Sequence, residues 1–423
     1  MANLWRLSIL ILLIAGCCDV AESGRRIRNR PGRQRQANRA RQSSRRAASR
    51  QDPLVLLGKI SEASGKFSVD MYKRLRLQNP NLIFSPISIF IALSMTSLGA
   101  RGPSKFQINR TLRQFAMRRF SHQASRILLS KLPSSNDNIT FQYANGIFLR
   151  PETTVLPSFK SRIRRFYNTE VFNLSSWYPE RDINNWVERK TNGLLSDFLS
   201  PGSIGDSFMM WIINAVFFRG TWEKLFDLRK TSRRPFTGAG GNAAYVEMME
   251  MIDSFPSNRI EELQTSVLEL PYVGGRYSLF IFLPDTSNGL ENLEKNMTYR
   301  TLETTMKNMQ DPRAFSIGIP KFYMDNSLDL ESSLKQMGIT RIFDVREADL
   351  SGIEGDNTLF VDSIIHKSVL EVNEFGTIAT TVTQVTIAAK SLPPQFIANR
   401  PFMFIVRDKK YDINLFMGRF SYP

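Results

Sequence analysis

The residues able to carry chemistry are scarce in this chain of 423 residues. There are two histidines, His122 and His366, and two cysteines, Cys17 and Cys18. No HExxH pair, Walker phosphate loop or Rossmann glycine fingerprint occurs, so zinc, nucleotide and dinucleotide chemistry of the usual kinds lack their ligands. A Ser-His-Asp triad would have to run through one of the two histidines. These features point away from an enzyme of a common class, and no metal or cofactor is expected. A different kind of reactivity resides in EVNEFGTIATTVTQVTIAAKSLPP (371–394), where neither charge nor proline stands between Glu374 and Lys390. Small and β-branched residues suit a strand, yet Lys390 followed by Ser391-Leu-Pro-Pro reads as exposed protease bait.

The ends of the chain set the frame. Residues 1–23 place Arg6 before about ten apolar residues and then small ones, the pattern of a secretory signal peptide too short to span a bilayer. Cleavage after Ser23 would remove both cysteines. A lipid anchor on Cys17, in the stretch IAGC, is the alternative. From Arg25 to Arg50 there are eleven arginines and no acid. The net charge is +17, of which +11 lies here and −1 in the 23 residues before, leaving +7 for residues 51–423. A segment so poor in apolar residues does not fold by itself, and its chemistry suits a heparin-like polyanion or an unspecific solvated tail. Nucleic acid and membrane partners are not expected. The organisation read from this is a leader at 1–23, a disordered Arg-rich tail at 24–52 and one domain at 53–423, secreted to the extracellular space as a monomer.

Within the domain, residues 55–77 have helical apolar spacing and stop before Asn79-Pro80. The apolar stretch 85–102 has Ser85 as N-cap and Pro86 in the first turn, and predicts a central helix ending at Gly99. Strands are predicted at 209–220, 267–272, 277–284, 315–322, 402–408 and 413–420, which gives an α+β class.

At this point a resemblance enters. NLIFSPISI (81–89), ANGIFL (144–149), NAVFFRGTWEKLF (214–226), PKFYMDNSLDLESSLKQMGITRIFD (320–344), IIHKSVLEVNEFGT (364–377) and FIVRDKKYDINLFMGRFSYP (404–423), with three shorter stretches, occur in serpin order. The chain resembles a serpin from about Val55 to Pro423. The resemblance implies three β-sheets, eight or nine helices and an exposed reactive-centre loop that is cut by a serine protease and inserts as a strand, trapping the acyl-enzyme. It makes Glu374, Gly376, Thr377, Ala379, Thr381 and Thr383 the hinge. Counting fourteen positions beyond Gly376 puts the scissile bond at Lys390–Ser391, which selects a trypsin-like protease as covalent partner. Ser85, Ser88, Asn214 and His366 match the shutter positions beneath the sheet that opens, and Trp222 matches the breach where insertion starts.

Phe375, Ile378 and Val382 depart from the inhibitory pattern. A non-inhibitory serpin with a carrier, chaperone or storage role is therefore the alternative. A second is a polyanion-responsive protein acting through the tail, joined by Arg113, Arg118, Arg119 and Arg126. N-glycosylation sequons start at Asn109, Asn138, Asn173 and Asn296, and Asn296 is expected on a surface turn.

Overall fold

The computed structural model describes residues 52–132, 135–174, 177–205, 207–375 and 393–423. Residues 1–51, which hold the expected leader and most of the expected Arg-rich tail, and residues 376–392, which hold the expected hinge and scissile bond, lie outside these residues, so the expectations placed on them have no structural counterpart.

Nine α-helices are found among the described residues: α1 (Pro53–Leu75), α2 (Pro86–Gly99), α3 (Gly102–Thr111), α4 (Ser121–Leu129), α5 (Pro157–Tyr167), α6 (Pro179–Lys190), α7 (Gly289–Asn296), α8 (Tyr299–Lys307) and α9 (Glu331–Gln336). The strands are β1 (Leu82–Phe84), β2 (Ile139–Leu149), β3 (Val171–Asn173), β4 (Met210–Gly220), β5 (Ser232–Thr237), β6 (Ala243–Ile260), β7 (Thr265–Pro271), β8 (Tyr277–Pro284), β9 (Gln310–Pro320), β10 (Phe322–Asp329), β11 (Ser363–Val372), β12 (Gln395–Ile397), β13 (Phe402–Asp408) and β14 (Ile413–Phe420). The α+β class holds.

Hydrogen bonding gathers these strands into two sheets among the described residues. One has five strands in the order β10-β11-β4-β2-β3; the other has nine. The expected second and third sheets are continuous because the long β6 belongs to both. Its residues 248–255 pair with β9, and 257–260 pair with β7.

The central strand β4 shows why the sequence is almost uniformly apolar there. Met210, Ile212, Val216 and Phe218 face the main core, whereas Trp211, Ile213, Ala215 and Phe217 alternate onto the opposite face, which α6 covers. Gly146 on β2 lets α6 approach: a Cβ there would lie 2.8 Å from Phe148 and 2.9 Å from Trp186. On the core side α2 is buried at every residue and packs against β2, β4 and β14, between the two sheets. A helix with no polar face has no other stable location.

The strand predicted at 315–322 divides in the structure. β9 ends at Pro320 in the nine-stranded sheet and β10 starts at Phe322 in the five-stranded one, with Lys321 as the crossing residue. Pro320 has no N–H to continue a ladder, and the Lys321 N–H bonds instead to the Glu247 carbonyl at 2.8 Å.

Candidate functional site

Within the five-stranded sheet, β11 and β4 run parallel, from Ser363 opposite Trp211 to Leu370 opposite Phe218. Their outer neighbours β10 and β2 are each antiparallel to them. Register brings three polar residues to one level: Asn145 on β2 pairs with Asn214 on β4, which pairs with His366 on β11. All three are buried, on the sheet face directed at α2.

Their hydrogen bonds form one connected cluster. The Asn214 amide nitrogen donates to Ser88 Oγ and to Asn145 Oδ1, while Asn214 Oδ1 bonds His366 Nδ1. His366 Nε2 accepts the Ser85 backbone N–H at 2.9 Å. Because Nε2 accepts, the ring proton sits on Nδ1 and the imidazole is neutral. Burial favours the same state and pushes the His366 pKa down to about 3. Ser85, Ser88, Asn214 and His366 are thus brought together in one buried cluster. Ser85 differs in its means. It occupies the N-cap position of α2, but its hydroxyl makes no cap bond and has no hydrogen-bond partner among the described residues. Its N–H carries the contact. Asn145 escaped the sequence reading; the available signal was a buried-strand asparagine within ANGIFL.

Neither histidine is placed as a catalytic base. His366 is enclosed by an amide and a backbone N–H, and His122 Nδ1 lies 2.7 Å from the Tyr167 hydroxyl. Burial first, then Lys105 and Arg162, push the His122 pKa down to about 3.

The second part of the site lies where β11 ends. Asn373 and Glu374, just beyond the end of β11, are held from three sides. Trp222 Nε1 donates to the Asn373 carbonyl at 2.7 Å, and the Phe226 N–H donates to the Glu374 carbonyl at 3.1 Å. Trp222 is itself fixed by stacking on Tyr272, with ring centroids 4.4 Å apart. The buried Glu374 carboxylate accepts the Thr231 hydroxyl at 2.9 Å, and its other oxygen lies 3.1 Å from Lys321 Nζ. Burial pushes this carboxyl up, but its own backbone N–H, Lys321 and Thr231 together hold it below the usual range. Gly376, Thr377, Ala379, Thr381, Thr383, Lys390 and Ser391 lie outside the described residues, as do Ile378 and Val382. Phe375 is half-buried, with its N–H on Asn373 Oδ1 at 3.1 Å.

Of the basic candidates, Arg113 pairs with Asp70 at 2.7 Å, Arg119 lies over the Phe120 ring, and Arg126 is exposed. The Arg118 side chain is outside the described set. Among the sequon asparagines, the Asn173 amide nitrogen is engaged by the carbonyls of Arg150, Pro151 and Thr153, and Asn109 accepts from Ser97. Asn138 is half-buried, and Asn296 is exposed at the last position of α7, not on a separate turn.

With this geometry established, comparison with known proteins is direct. The family model "Serpin (serine protease inhibitor)" matches residues 62–423, and the chain belongs to that family. It is 33% identical to Serpin B6 of Pongo abelii over 86% of this chain and 99% of that protein. It is 34% identical to the leukocyte elastase inhibitor of Xenopus tropicalis, with the same coverage of both. Among solved structures it resembles uncleaved ovalbumin with a TM-score of 0.78 at 30% identity, covering 86% of this chain and 100% of that one.

These relatives correct one expectation. Serpin B6 and the leukocyte elastase inhibitor belong to the intracellular branch of the family, whose members lack a signal peptide, so the secreted, extracellular assignment is overturned. That assignment rested on Arg6 and a short apolar run, which lie before the family match begins.

Proposed function

We propose that the chain is a single-use inhibitor of a trypsin-like serine protease, attacked at Lys390–Ser391. The observation that carries this reading is the parallel pairing of β11 with β4. A segment that reverses direction after β11 runs antiparallel to β11 and, for the same reason, antiparallel to β4. It can therefore pair with both, replacing one parallel ladder by two antiparallel ones. Residues 377–389 carry no charge. Extended, they reach about 43 Å, against about 36 Å for the eleven residues of β4, at about 3.3 Å per residue.

In the proposed step the protease serine Oγ attacks the Lys390 carbonyl, the Lys390–Ser391 bond breaks, and the Ser391 amine leaves with a proton. The ester to Lys390 is then carried away as the cut segment inserts. The polar row beneath the slot suits this movement, since amide, hydroxyl and imidazole groups exchange partners where an apolar row offers none and an unpaired group costs about 1–3 kcal/mol.

The test is to incubate the full chain with trypsin and analyse the products on a denaturing gel and by mass spectrometry. An SDS-stable adduct together with a fragment beginning at Ser391 is expected. A cleaved chain with no adduct and fully active protease would favour the non-inhibitory reading, with Phe375, Ile378 and Val382 as the obstacle.

A second reading is favoured by one further observation. From Arg101 to Lys131 there are six arginines, two lysines and no acid, on α3, α4 and the turn between them. The charge of this stretch suits a heparin-like polyanion, as does the charge of Arg25–Arg50 taken by itself. Retention of the full chain on immobilised heparin that collapses as salt rises is the expected result.

A further inference from the structure

A groove of about 1080 Å³ opens beside β12, lined by β12 itself, by β5 and β6, and by the turn Arg229–Lys230. Four of its side chains are cationic, Arg229, Lys230, Arg234 and Arg400, and one, Glu250, is acidic. Arg229 is occupied by Asp227 at 2.8 Å and Arg234 by Glu250 at 3.0 Å. Lys230 is exposed and has no ion pair among the described residues. Arg400 spends its donors on neutral acceptors, the carbonyls of Pro284 (2.6 Å) and Ile397 and the Asn399 amide oxygen (3.1 Å). The carboxylate that acts on it, Asp285, is held by two bonds from Arg259, at 3.0 and 2.7 Å. The groove therefore presents a positive field that its own carboxylates do not cancel.

Its position gives that field a target. The lining strand begins at Gln395, four residues after Ser391, so chain length alone keeps the Gln395 edge of the groove within about 14 Å of Ser391. A standard protein–protein contact covers about 800 Å² on each partner, a disc of about 16 Å radius. A protease seated on Lys390–Ser391 therefore has its rim within reach of the Gln395 edge of the groove.

We propose that this groove is a secondary docking site for a carboxylate-bearing surface of the target protease beside its primed-side cleft. Lys230 and Arg234 are the residues that set partner choice. The proposal rests on the reading of Lys390–Ser391 as the attacked bond. Charges at such a rim act on the encounter rate and on its salt dependence more than on the final contact. The cations are spread over several elements and do not converge on one point, which suits a protein surface better than a small anion.

The experiment compares the full chain with the Lys230→Glu/Arg234→Glu variant. The second-order rate of attack at Lys390 is measured with anionic and with cationic trypsin, at about 20 mM and about 300 mM salt. With anionic trypsin at low salt the variant is expected to be attacked about tenfold more slowly and to lose most of the salt dependence. With cationic trypsin at low salt the same reversal should raise the rate instead. Arg165→Glu, a charge reversal on α5, serves as control, and an unchanged melting midpoint shows that the variant folds. A rate with anionic trypsin that stays within about twofold of the parent refutes the docking site. Total attack is counted whether the product is adduct or cleaved chain, so failure of trapping is read separately from failure of docking. Absence of attack at Lys390 by either trypsin overturns both.

Discussion

Asn214 and His366 stand directly opposite each other on two parallel strands and share a hydrogen bond at the midpoint of the five-stranded sheet. Each is fully buried. The bond therefore spans the interface at which a new strand would enter, and its partners must be found again on either side once that interface parts.

His366→Ala is expected to leave the Asn214 carbonyl oxygen and the Ser85 N–H without partners in the core. At about 1–3 kcal/mol for each orphaned group the loss should be about 3 kcal/mol. A lowered urea midpoint checks it; an unchanged midpoint would mean that water replaces the ring without cost.

The pH dependence has a definite sign. Both histidines are neutral in the fold with pKa values pushed down to about 3, and protonate near 6.5 when unfolded. Their contribution is complete above the unfolded pKa and is lost as pH falls from about 6.5 towards 3. Between about pH 6 and 5, where most carboxylates stay ionised, stability should fall by about 1 kcal/mol per pH unit for each histidine. His366→Gln should remove about half of that slope in a series of urea titrations.

The Glu374–Lys321 pair is testable by a double-mutant cycle. With Lys321 about half exposed, screening limits the coupling to about 1 kcal/mol, and raising salt should reduce it. Thr231→Val should add to the effect of Lys321→Met, since both remove support from the same buried carboxylate. Strict additivity of Glu374→Gln and Lys321→Met with no salt dependence would show that the pair carries no energy.

Thr381→Arg should leave cleavage at Lys390 intact while shifting the products from adduct to cleaved chain. On the proposed insertion Thr381 falls on the same face of the new strand as Thr377 and Ala379, taken as the face turned to the core, where an arginine would be buried unpaired. An undiminished adduct yield would place that position on the outward face.

Gly146→Ala is expected to destabilise the chain by about 1–3 kcal/mol, because the new methyl meets the Trp186 and Phe148 rings at less than van der Waals distance. Thermal melting of the variant measures this directly.

How far these features could be read beforehand depended on whether their cause was local. β8, β13 and β14 match their predicted bounds residue for residue, as each is an apolar run closed by proline, glycine or a charge. The strand pair β9–β10 was read as one because the apolar pattern continues through Pro320 and Lys321, and the change of sheet leaves no mark in it. Four members of the polar cluster were found by pattern, while Asn145 needed the register between β2 and β4. Thr231 and Lys321 were not legible at all. They reach Glu374 from points more than fifty residues away, through packing that no local spacing encodes. The N-terminal leader pattern was legible as composition, but composition did not decide the compartment.

The burial of α2 has a consequence for biosynthesis. β1, which leads into it, pairs with β14, and Leu82 meets Arg419 only after roughly 340 further residues have been made. At about 5–20 residues per second the ribosome needs about 20–60 s to supply that strand. Until β14 is made, one side of a helix that is buried at every residue lacks its cover. The nascent chain therefore needs a holding partner for residues 82–99, and slowing translation over the last strands should increase its aggregation in the cell.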